Sequence, residues 1–205
     1  HQHNHMYAGL WSVDKEAPKR FLLVHISGGT TDFLLCEKQD DGHFTLMPQG
    51  TSIDLHAGQF IDRVGVALGL PFPCGPHLER LAEQATEPYP LKVWTEKAQL
   101  SLSGPCSQAL RAVEKGTDPA SLALGVERAI SRGISRTLFY VCQQQGLHQV
   151  LLAGGVSANG ELKRQIGDYL QKRQIELWAP DPKYSVDGAV GNAWAAVLEE
   201  RQAGA

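Results

Sequence analysis

The sequence predicts an α/β domain built on a mixed β-sheet. Three observations support this class: strand patterns cluster near the start, helical periodicity fills the middle, and strands and helices alternate near the end. With 205 residues, the chain is long enough for one compact domain with a sizeable core. Hydrophobic residues make up 42% of it and charged residues 20%, so a globular domain is expected.

The first part of the chain is predicted to form a three-stranded meander. Strand patterns fall in three segments, at 20–27, 31–37 and 43–48. Helical periodicity then covers 54–69, with Asp54 as the expected N-cap and Gly69 as the end.

The middle of the chain is predicted to be helical. A short helix begins at Pro76, which suits the first helical position. Ser103 is the expected cap of a second helix, and Asp118 is the expected cap of a third that ends at Gly146. We therefore expect a helical insert over residues 76–147.

Strands and helices alternate again after the insert. The expected order is a strand at 149–153, a Gly-Gly turn, a helix capped by Asn159, a strand at 175–178 and a last helix over 187–201. The whole pattern is β-β-β-α-β-α-β-α, interrupted by the insert.

Segment 27–32 predicts an anion site in the turn between the first two strands. Its two adjacent glycines, Gly28 and Gly29, let backbone N–H groups converge on an anion. The hydroxyls of Ser27 and Thr30 can add donors at the same place. The alternative is an ordinary hairpin turn, because short glycine motifs often occur without a ligand.

A second glycine turn follows the strand at 149–153. Gly154 and Gly155 would let a base or ribose lie against the backbone, and Asn159 can cap the next helix or bind a ligand. The alternative is a tight strand-to-helix turn in which Asn159 is only an N-cap.

His1 and His5 are candidate metal ligands. In a helix they lie on one face, and Asp187 could supply a third ligand, a set that suits Fe(II) or Zn(II). Alternatively, the histidines belong to a frayed terminus or a tag remnant, and Asp187 only caps its helix. The interleaved Gln2 and Asn4 favour native sequence over a tag.

Charge and cysteine content favour a cytoplasmic protein without membrane association. The net charge of −3 offers no general attraction to nucleic acid or anionic lipid, and the four cysteines are widely spaced, as in reduced proteins. An RNA partner would need a local basic patch. Arg128, Arg132 and Arg136 could form one, although a solvated helix face that includes Glu127 is the simpler expectation.

The predicted element order resembles one lobe of the actin-like ATPases, a ribonuclease H-like class (ASKHA) that includes sugar kinases and Hsp70 proteins. In such folds the hairpin turn between the first two strands holds phosphates. The Gly-Gly turn after the fourth strand holds adenosine. Both turns occur here in that order.

The motifs together resemble the TsaD family, formerly called O-sialoglycoprotein endopeptidases or M22 glycoproteases. That family transfers threonylcarbamoyl from its adenylate to adenosine 37 of tRNA. The resemblance covers the C-terminal two thirds of the family. It rests on motifs in register: the two histidines, Ile26 to Gly29, Ile53 to Leu70, Pro73 to Pro76, Ser101 to Gly104, Ala153 to Asn159, and Asp187.

The resemblance implies a site and its ligands. One divalent metal, Fe or Zn, falls on His1, His5 and Asp187. The positions that correspond to adenylate contacts are His25, Ile26, Ser27, Gly28, Gly29, Asp62, Gly75 and Asn159. The expected ligand is ATP, AMP or threonylcarbamoyl-adenylate, and the transfer needs no protein nucleophile.

The chain also departs from the family pattern. Leu55, Gln59 and Cys106 replace an acid, a Glu and a basic residue, and nothing corresponds to the family's N-terminal half. The expected partners are that half or a paralogous TsaB-like subunit, with tRNA as a further candidate. The departures leave open a non-catalytic nucleotide- and metal-binding module. A metallopeptidase would need a Glu where Gln2 stands.

Overall fold

A computed structural model describes residues 2–181, 191 and 193. Within this part of the chain, seven strands form one mixed sheet. They are β1 (Arg20–Ile26), β2 (Thr31–Lys38), β3 (Phe44–Ser52), β4 (Trp94–Glu96), β5 (Gln99–Ser101), β6 (Gln149–Ala153) and β7 (Glu176–Trp178). Their spatial order is β4-β5-β3-β2-β1-β6-β7.

Strand β1 sits between an antiparallel and a parallel neighbour. It pairs antiparallel with β2 and parallel with β6, and His25 lies opposite Ala153 in the parallel register. The carboxyl ends of β1 and β6 therefore meet at one edge of the sheet. The two glycine turns that follow these strands must also meet there.

Helices cover both faces of the sheet. They are α1 (Gln2–Val13), α2 (Ala57–Ala67), α3 (Gly75–Ala82), α4 (Ser103–Glu114), α5 (Pro119–Gln145) and α6 (Gly160–Gln171), with a 3-10 helix at Gly155–Ala158. None of the helices in the described ranges is both long and apolar enough to cross a membrane.

Alternating side chains of β1 enter two hydrophobic cores. Leu22, Val24 and Ile26 pack into the larger core, on the face covered by α2 to α6. Phe21 and Leu23 point to the opposite face, where α1 packs. Because β1 is covered on both faces, its sequence is a continuous apolar run rather than an alternating one.

The N-caps predicted for α5 and α6 are confirmed. Asp118 accepts a hydrogen bond from the Ser121 backbone N–H at 2.8 Å, and α5 ends at Gly146 with φ of +64°. Asn159 accepts from the Leu162 N–H at 2.8 Å at the start of α6. The predicted helix over 187–201 lies outside the described residues, apart from helical positions 191 and 193.

Asp54 is not the N-cap of α2, as the sequence predicted. That helix begins at Ala57, and its N-cap is His56, whose N–H donates to the Gln59 carboxamide at 3.2 Å. The Asp54 carboxylate instead accepts hydrogen bonds from the junction of β5 and α4, which offers several donors at once. Ser103 is likewise the first residue of α4 rather than its N-cap.

The predicted helical insert also contains a β-hairpin. Strands β4 and β5 extend the sheet beyond β3, to which β5 pairs in parallel. Each has only three residues, too few for a recognisable periodic pattern. Helix α1 is also hard to predict, because all residues from His5 to Leu10 are buried and no helical spacing of polar positions remains.

Candidate functional site

A cavity of about 600 Å³ opens at the carboxyl ends of β1 and β6. Its size is in the range of small-molecule and cofactor sites. Residues from the β1–β2 turn, α1, α2, the α2–α3 loop, α3, the 3-10 helix and the N-cap of α6 line it. Six of the predicted site residues are among them: His5, Ser27, Gly28, Asp62, Gly75 and Asn159.

Three predicted nucleotide residues do not line the cavity. His25 and Ile26 are fully buried within β1, directly before the turn. Gly29 is exposed at the tip of the turn. Of the predicted segment from His25 to Gly29, Ser27 and Gly28 line the cavity.

The hydrogen bonds of the β1–β2 turn differ from the predicted anion cradle. Ser27 Oγ accepts from the N–H groups of Gly29 at 3.2 Å and Thr30 at 3.1 Å. These two amides therefore bind the turn's own serine. Within the turn, Gly28 is the glycine that borders the cavity.

The turn is coupled to helix α1 through His25. Thr30 Oγ1 lies 2.8 Å from Ser27 Oγ and 2.7 Å from His25 Nδ1. The His25 ring in turn packs against the His5 ring, with 4.6 Å between ring centroids. His5 is buried and lines the cavity, so the chain of contacts joins the turn to the predicted metal ligand.

Glycines around the cavity fall into two groups. A Cβ at Gly28, Gly75 or Gly155 would meet no atom within 4 Å, so the space beside each is open. A Cβ at Gly58 would lie 2.6 Å from the Cα of Gly28, and one at Gly154 would lie 2.8 Å from the carbonyl carbon of Ile26. The three open glycines leave room for a ligand. Gly58 and Gly154 instead allow two stretches of backbone to pack in close contact.

Asp62 holds the loop between α2 and α3. Its Oδ1 accepts from the Cys74 N–H at 2.9 Å, directly before Gly75 on the cavity wall. Phe72 lies at the same wall with 74% of its surface exposed. Asp62 thus has a structural role in addition to the ligand contact predicted for it.

Two glutamates near the cavity were not among the predicted site residues. Glu79 lines the cavity and accepts from the Gly160 N–H at 2.6 Å, which joins α3 to the start of α6. It lies one helical turn after Gly75, so i,i+4 spacing could have indicated it. Glu127 accepts from Asn159 Nδ2 at 2.6 Å.

Glu127 is 1% exposed, so the predicted solvated face does not include it. It follows Ala123 by four residues and precedes Ile130 by three, which places it on the apolar face of α5. Burial is the main cause that raises the pKa of Glu127 to about 8. The hydrogen bond from Asn159 opposes that shift.

The predicted arginine stripe is interrupted by an ion pair. Arg128 donates to Glu161 at 2.9 Å and is half-buried, whereas Arg132 and Arg136 are exposed. The solvated-face interpretation therefore holds for the last two arginines.

The positions that depart from the family pattern have structural roles here. Leu55 and Cys106 are buried in the larger hydrophobic core. The Gln59 carboxamide accepts from the His56 N–H at the start of α2. None of the three lines the cavity.

The predicted metal site is described only at His5. His1 and Asp187 lie outside the described residues. Among residues 2–181, 191 and 193, no group of three or more His, Cys, Asp or Glu side chains could hold a metal. A Cβ at Gly191 would overlap the Asn4 carbonyl oxygen, so the backbone at 191 packs against α1 next to His5.

Solved structures with the same fold include two nucleotide-bound proteins. A full-length HypF in its phosphate- and nucleotide-bound form matches 98% of this chain and 35% of its own, with a TM-score of 0.73 and 13% identity. The activator of 2-hydroxyisocaproyl-CoA dehydratase from Clostridium difficile with bound ADPNP matches 97% of this chain and 68% of its own, with a TM-score of 0.61 and 15% identity. The predicted actin-like ATPase fold is confirmed.

Sequence comparison gives the family. A Thermus thermophilus tRNA N6-adenosine threonylcarbamoyltransferase is 36% identical over 182 residues, or 87% of this chain and 54% of that protein. Its Symbiobacterium thermophilum counterpart is 34% identical over 92% of this chain and 56% of that protein. The chain thus spans about half the length of these relatives. The family model "TsaD: tRNA N6-adenosine threonylcarbamoyltransferase" matches residues 1–194. The chain therefore belongs to the TsaD family.

Proposed function

We propose that this chain is the nucleotide-binding part of a tRNA N6-adenosine threonylcarbamoyltransferase. In this proposal the cavity at the ends of β1 and β6 holds the adenylate portion of threonylcarbamoyl-adenylate. The supporting observation is that Gly28, Gly75 and Gly155 line the cavity and leave open space where a side chain would project. Such positions let a ligand approach the backbone closely.

The substrate in this proposal is taken from the names of the relatives. The proteins that match most of this chain are named tRNA N6-adenosine threonylcarbamoyltransferases. Two proteins of the same fold were solved with nucleotides bound. We extend a nucleotide ligand to this chain because its cavity lies at the parallel ends of neighbouring strands, where open α/β sheets bind ligands.

The residues of this chain would bind and orient the substrate. Gly28 would border the phosphate, Gly155 would lie against the adenosine, and Asp62 would accept from a ribose hydroxyl. In the transfer, N6 of the tRNA adenine forms a bond to the carbamoyl carbon and loses a proton. The bond from that carbon to the phosphate oxygen breaks, and AMP leaves with the electron pair.

We further propose that His1, His5 and Asp187 hold one Fe or Zn ion at the α1 side of the cavity. His5 fits this role because it is buried in the cavity wall. The backbone at Gly191, four residues after Asp187 in the sequence, packs beside it at Asn4. The ion would supply Lewis-acid chemistry and a template for the phosphate or acyl group.

Replacement of His5 by alanine tests the metal proposal. We expect His5→Ala to lose at least about 90% of the bound Fe or Zn, because the substitution removes one of the three proposed ligands. His3→Ala is the matched control, because His3 is exposed on the same helix. Elemental analysis of the purified chain measures metal content, and equal content in parent and His5→Ala would contradict the proposal.

The remainder of the active protein would be the N-terminal half of the family or a TsaB-like subunit, with tRNA as the acceptor. The length of the relatives, about twice that of this chain, supports the additional half, and their names support tRNA as the acceptor. The metallopeptidase alternative lacks its general base, because Gln2 stands where a His-Glu-x-x-His motif has its glutamate and segment 1–5 contains no glutamate.

A transfer assay tests the proposed activity. The full-length gene product, given tRNA and threonylcarbamoyl-adenylate, is expected to form threonylcarbamoyladenosine, measured by mass spectrometry of nucleosides. An authentic TsaD enzyme serves as the positive control. If that control is active and the gene product modifies no adenosine, the transferase proposal fails. Retained nucleotide binding would then indicate a non-catalytic module.

A further inference from the structure

Asn159 uses both ends of its side chain. Oδ1 accepts from the Leu162 N–H at 2.8 Å and caps α6, and Nδ2 donates to Glu127 Oε1 at 2.6 Å. Asn159 also lines the cavity and carries a second N–H on Nδ2. One side chain therefore links the helix start, the core of α5 and the ligand cavity.

Glu127 complements one orientation of the Asn159 amide. If the amide were rotated by 180°, its NH₂ would face the Leu162 N–H, so two donors would oppose each other and the cap would be lost. The hydrogen bond from Nδ2 to Glu127 Oε1 would be lost as well. The carboxyl thus stabilises the orientation that the cap requires.

The position of Glu127 supports this role over a surface role. Its side chain is 1% exposed on α5, and its backbone carbonyl accepts from Ser131 Oγ at 2.7 Å. A buried carboxyl group is costly unless it makes hydrogen bonds, and Asn159 supplies one.

We propose that Glu127 is a positioning residue for nucleotide binding: it orients the Asn159 amide so that this side chain caps α6 and presents its remaining N–H to the ligand. The inference rests on the proposed function, because it concerns binding in the same cavity. It adds a residue that lies behind the cavity wall and has no predicted ligand contact.

The protonation state of Glu127 decides which substitutions at this position are informative. Burial raises its pKa to about 8, so the carboxyl is mostly neutral at pH 7. Acidic groups that face it from neighbouring elements are Glu79 on α3, Glu83 at the C-cap of α3 and Glu161 on α6, while Arg128 on α5 pairs with Glu161. Glutamine is therefore close to Glu127 in shape and charge at neutral pH. Leucine has a similar volume and no acceptor.

The first experiment measures AMP affinity by calorimetry at pH 7 on the 205-residue chain. We expect Glu127→Leu to weaken AMP binding about tenfold and Glu127→Gln to stay within about twofold. Circular dichroism checks that each variant is folded. If Glu127→Leu does not fold, Glu127→Met replaces it, because methionine also has a similar volume and no oxygen acceptor, and the same tenfold loss is expected.

A second readout does not depend on a ligand. The side-chain NH₂ signals of Asn159 in ¹⁵N-resolved NMR spectra are expected to shift with one titration above neutral pH. They should stay constant in Glu127→Gln, which cannot ionise. A merely structural role for Glu127 would not move nucleotide affinity in folded variants.

The outcomes separate this inference from the proposed function. If the parent chain bound AMP and folded Glu127→Leu bound it equally well, the positioning role would be wrong while the proposed function stood. Asn159 NH₂ signals that were identical in the parent and in folded Glu127→Leu would also overturn the positioning role, because that variant lacks the acceptor at Glu127. If the parent bound no nucleotide, the proposed function would fail and this inference with it.

Discussion

Gly154→Ala is expected to destabilise the chain by about 2–6 kcal/mol. Gly154 has φ of +90° and ψ of 158°, a backbone region that is essentially restricted to glycine and costs other residues about 1–3 kcal/mol. A Cβ there would also lie 2.8 Å from the Ile26 carbonyl carbon and 3.1 Å from the Ile26 nitrogen. These are backbone atoms of the central strand β1, so they cannot move aside as a side chain would. Such overpacking adds about 1–3 kcal/mol.

Gly155→Ala is the matched control. Its Cβ would meet no atom within 4 Å, and its φ does not lie in the left-handed region. We expect its free energy of unfolding in urea to stay within about 0.5 kcal/mol of the parent value, whereas its AMP affinity falls because the new methyl group occupies ligand space. Equal stability of the two variants would contradict the packing argument for Gly154.

Asp54→Ala is expected to lower the free energy of unfolding by about 1.5–3 kcal/mol. The carboxylate accepts five hydrogen bonds, four of which join the β3–α2 connection to the β5–α4 junction. The donors are the N–H groups of Leu55, Leu102 and Ser103 and the hydroxyls of Ser101 and Ser103. Hydrogen bonds to a charged acceptor contribute more than neutral ones, although partial exposure of this site reduces their value.

The same carboxylate predicts a pH dependence of stability. Partial burial alone would raise the pKa of Asp54, but the hydrogen bonds outweigh it and lower the pKa to about 2. An unfolded aspartate has a pKa of about 3.9. The stabilisation is therefore complete above about pH 4 and is lost as the pH falls from about 4 to about 2.

Acid unfolding of Asp54→Asn measures this contribution. Its free energy of unfolding should fall less steeply between about pH 4 and pH 2 than that of the parent, because the variant has no carboxylate to protonate. Asp40→Asn serves as a control, since Asp40 is exposed in the β2–β3 turn. Identical acid limbs for the parent and Asp54→Asn would refute the assignment.

Local chemistry made much of the fold predictable. The strand pattern of β1 to β3, the cap at Asp118 and the left-handed end at Gly146 depend on residues close in sequence. Asn159 as an N-cap is another such case. At these positions the tertiary structure agrees with the local preference, so a single sequence suffices.

The errors arose where distant residues decide the outcome. Asp54 is a good N-cap type, but it bonds to Ser101 and Ser103, about 50 positions away. The Ser27 hydroxyl, by contrast, makes a local contact: it accepts from two amides of its own turn, which the glycine motif alone does not indicate. Glu127 is a buried partner of Asn159 rather than part of a solvated face, although its place on the apolar side of α5 carried that information.

Equilibrium binding of AMP to the 205-residue chain tests the central claim most directly. We predict that the parent binds one AMP and that Gly28→Ala, which fills open space at the cavity wall, weakens binding at least about tenfold. Gly104→Ala, whose Cβ is equally unobstructed but which does not line the cavity, should bind AMP as the parent does. A parent chain that binds no AMP, or equal affinity in all three proteins, would contradict the account.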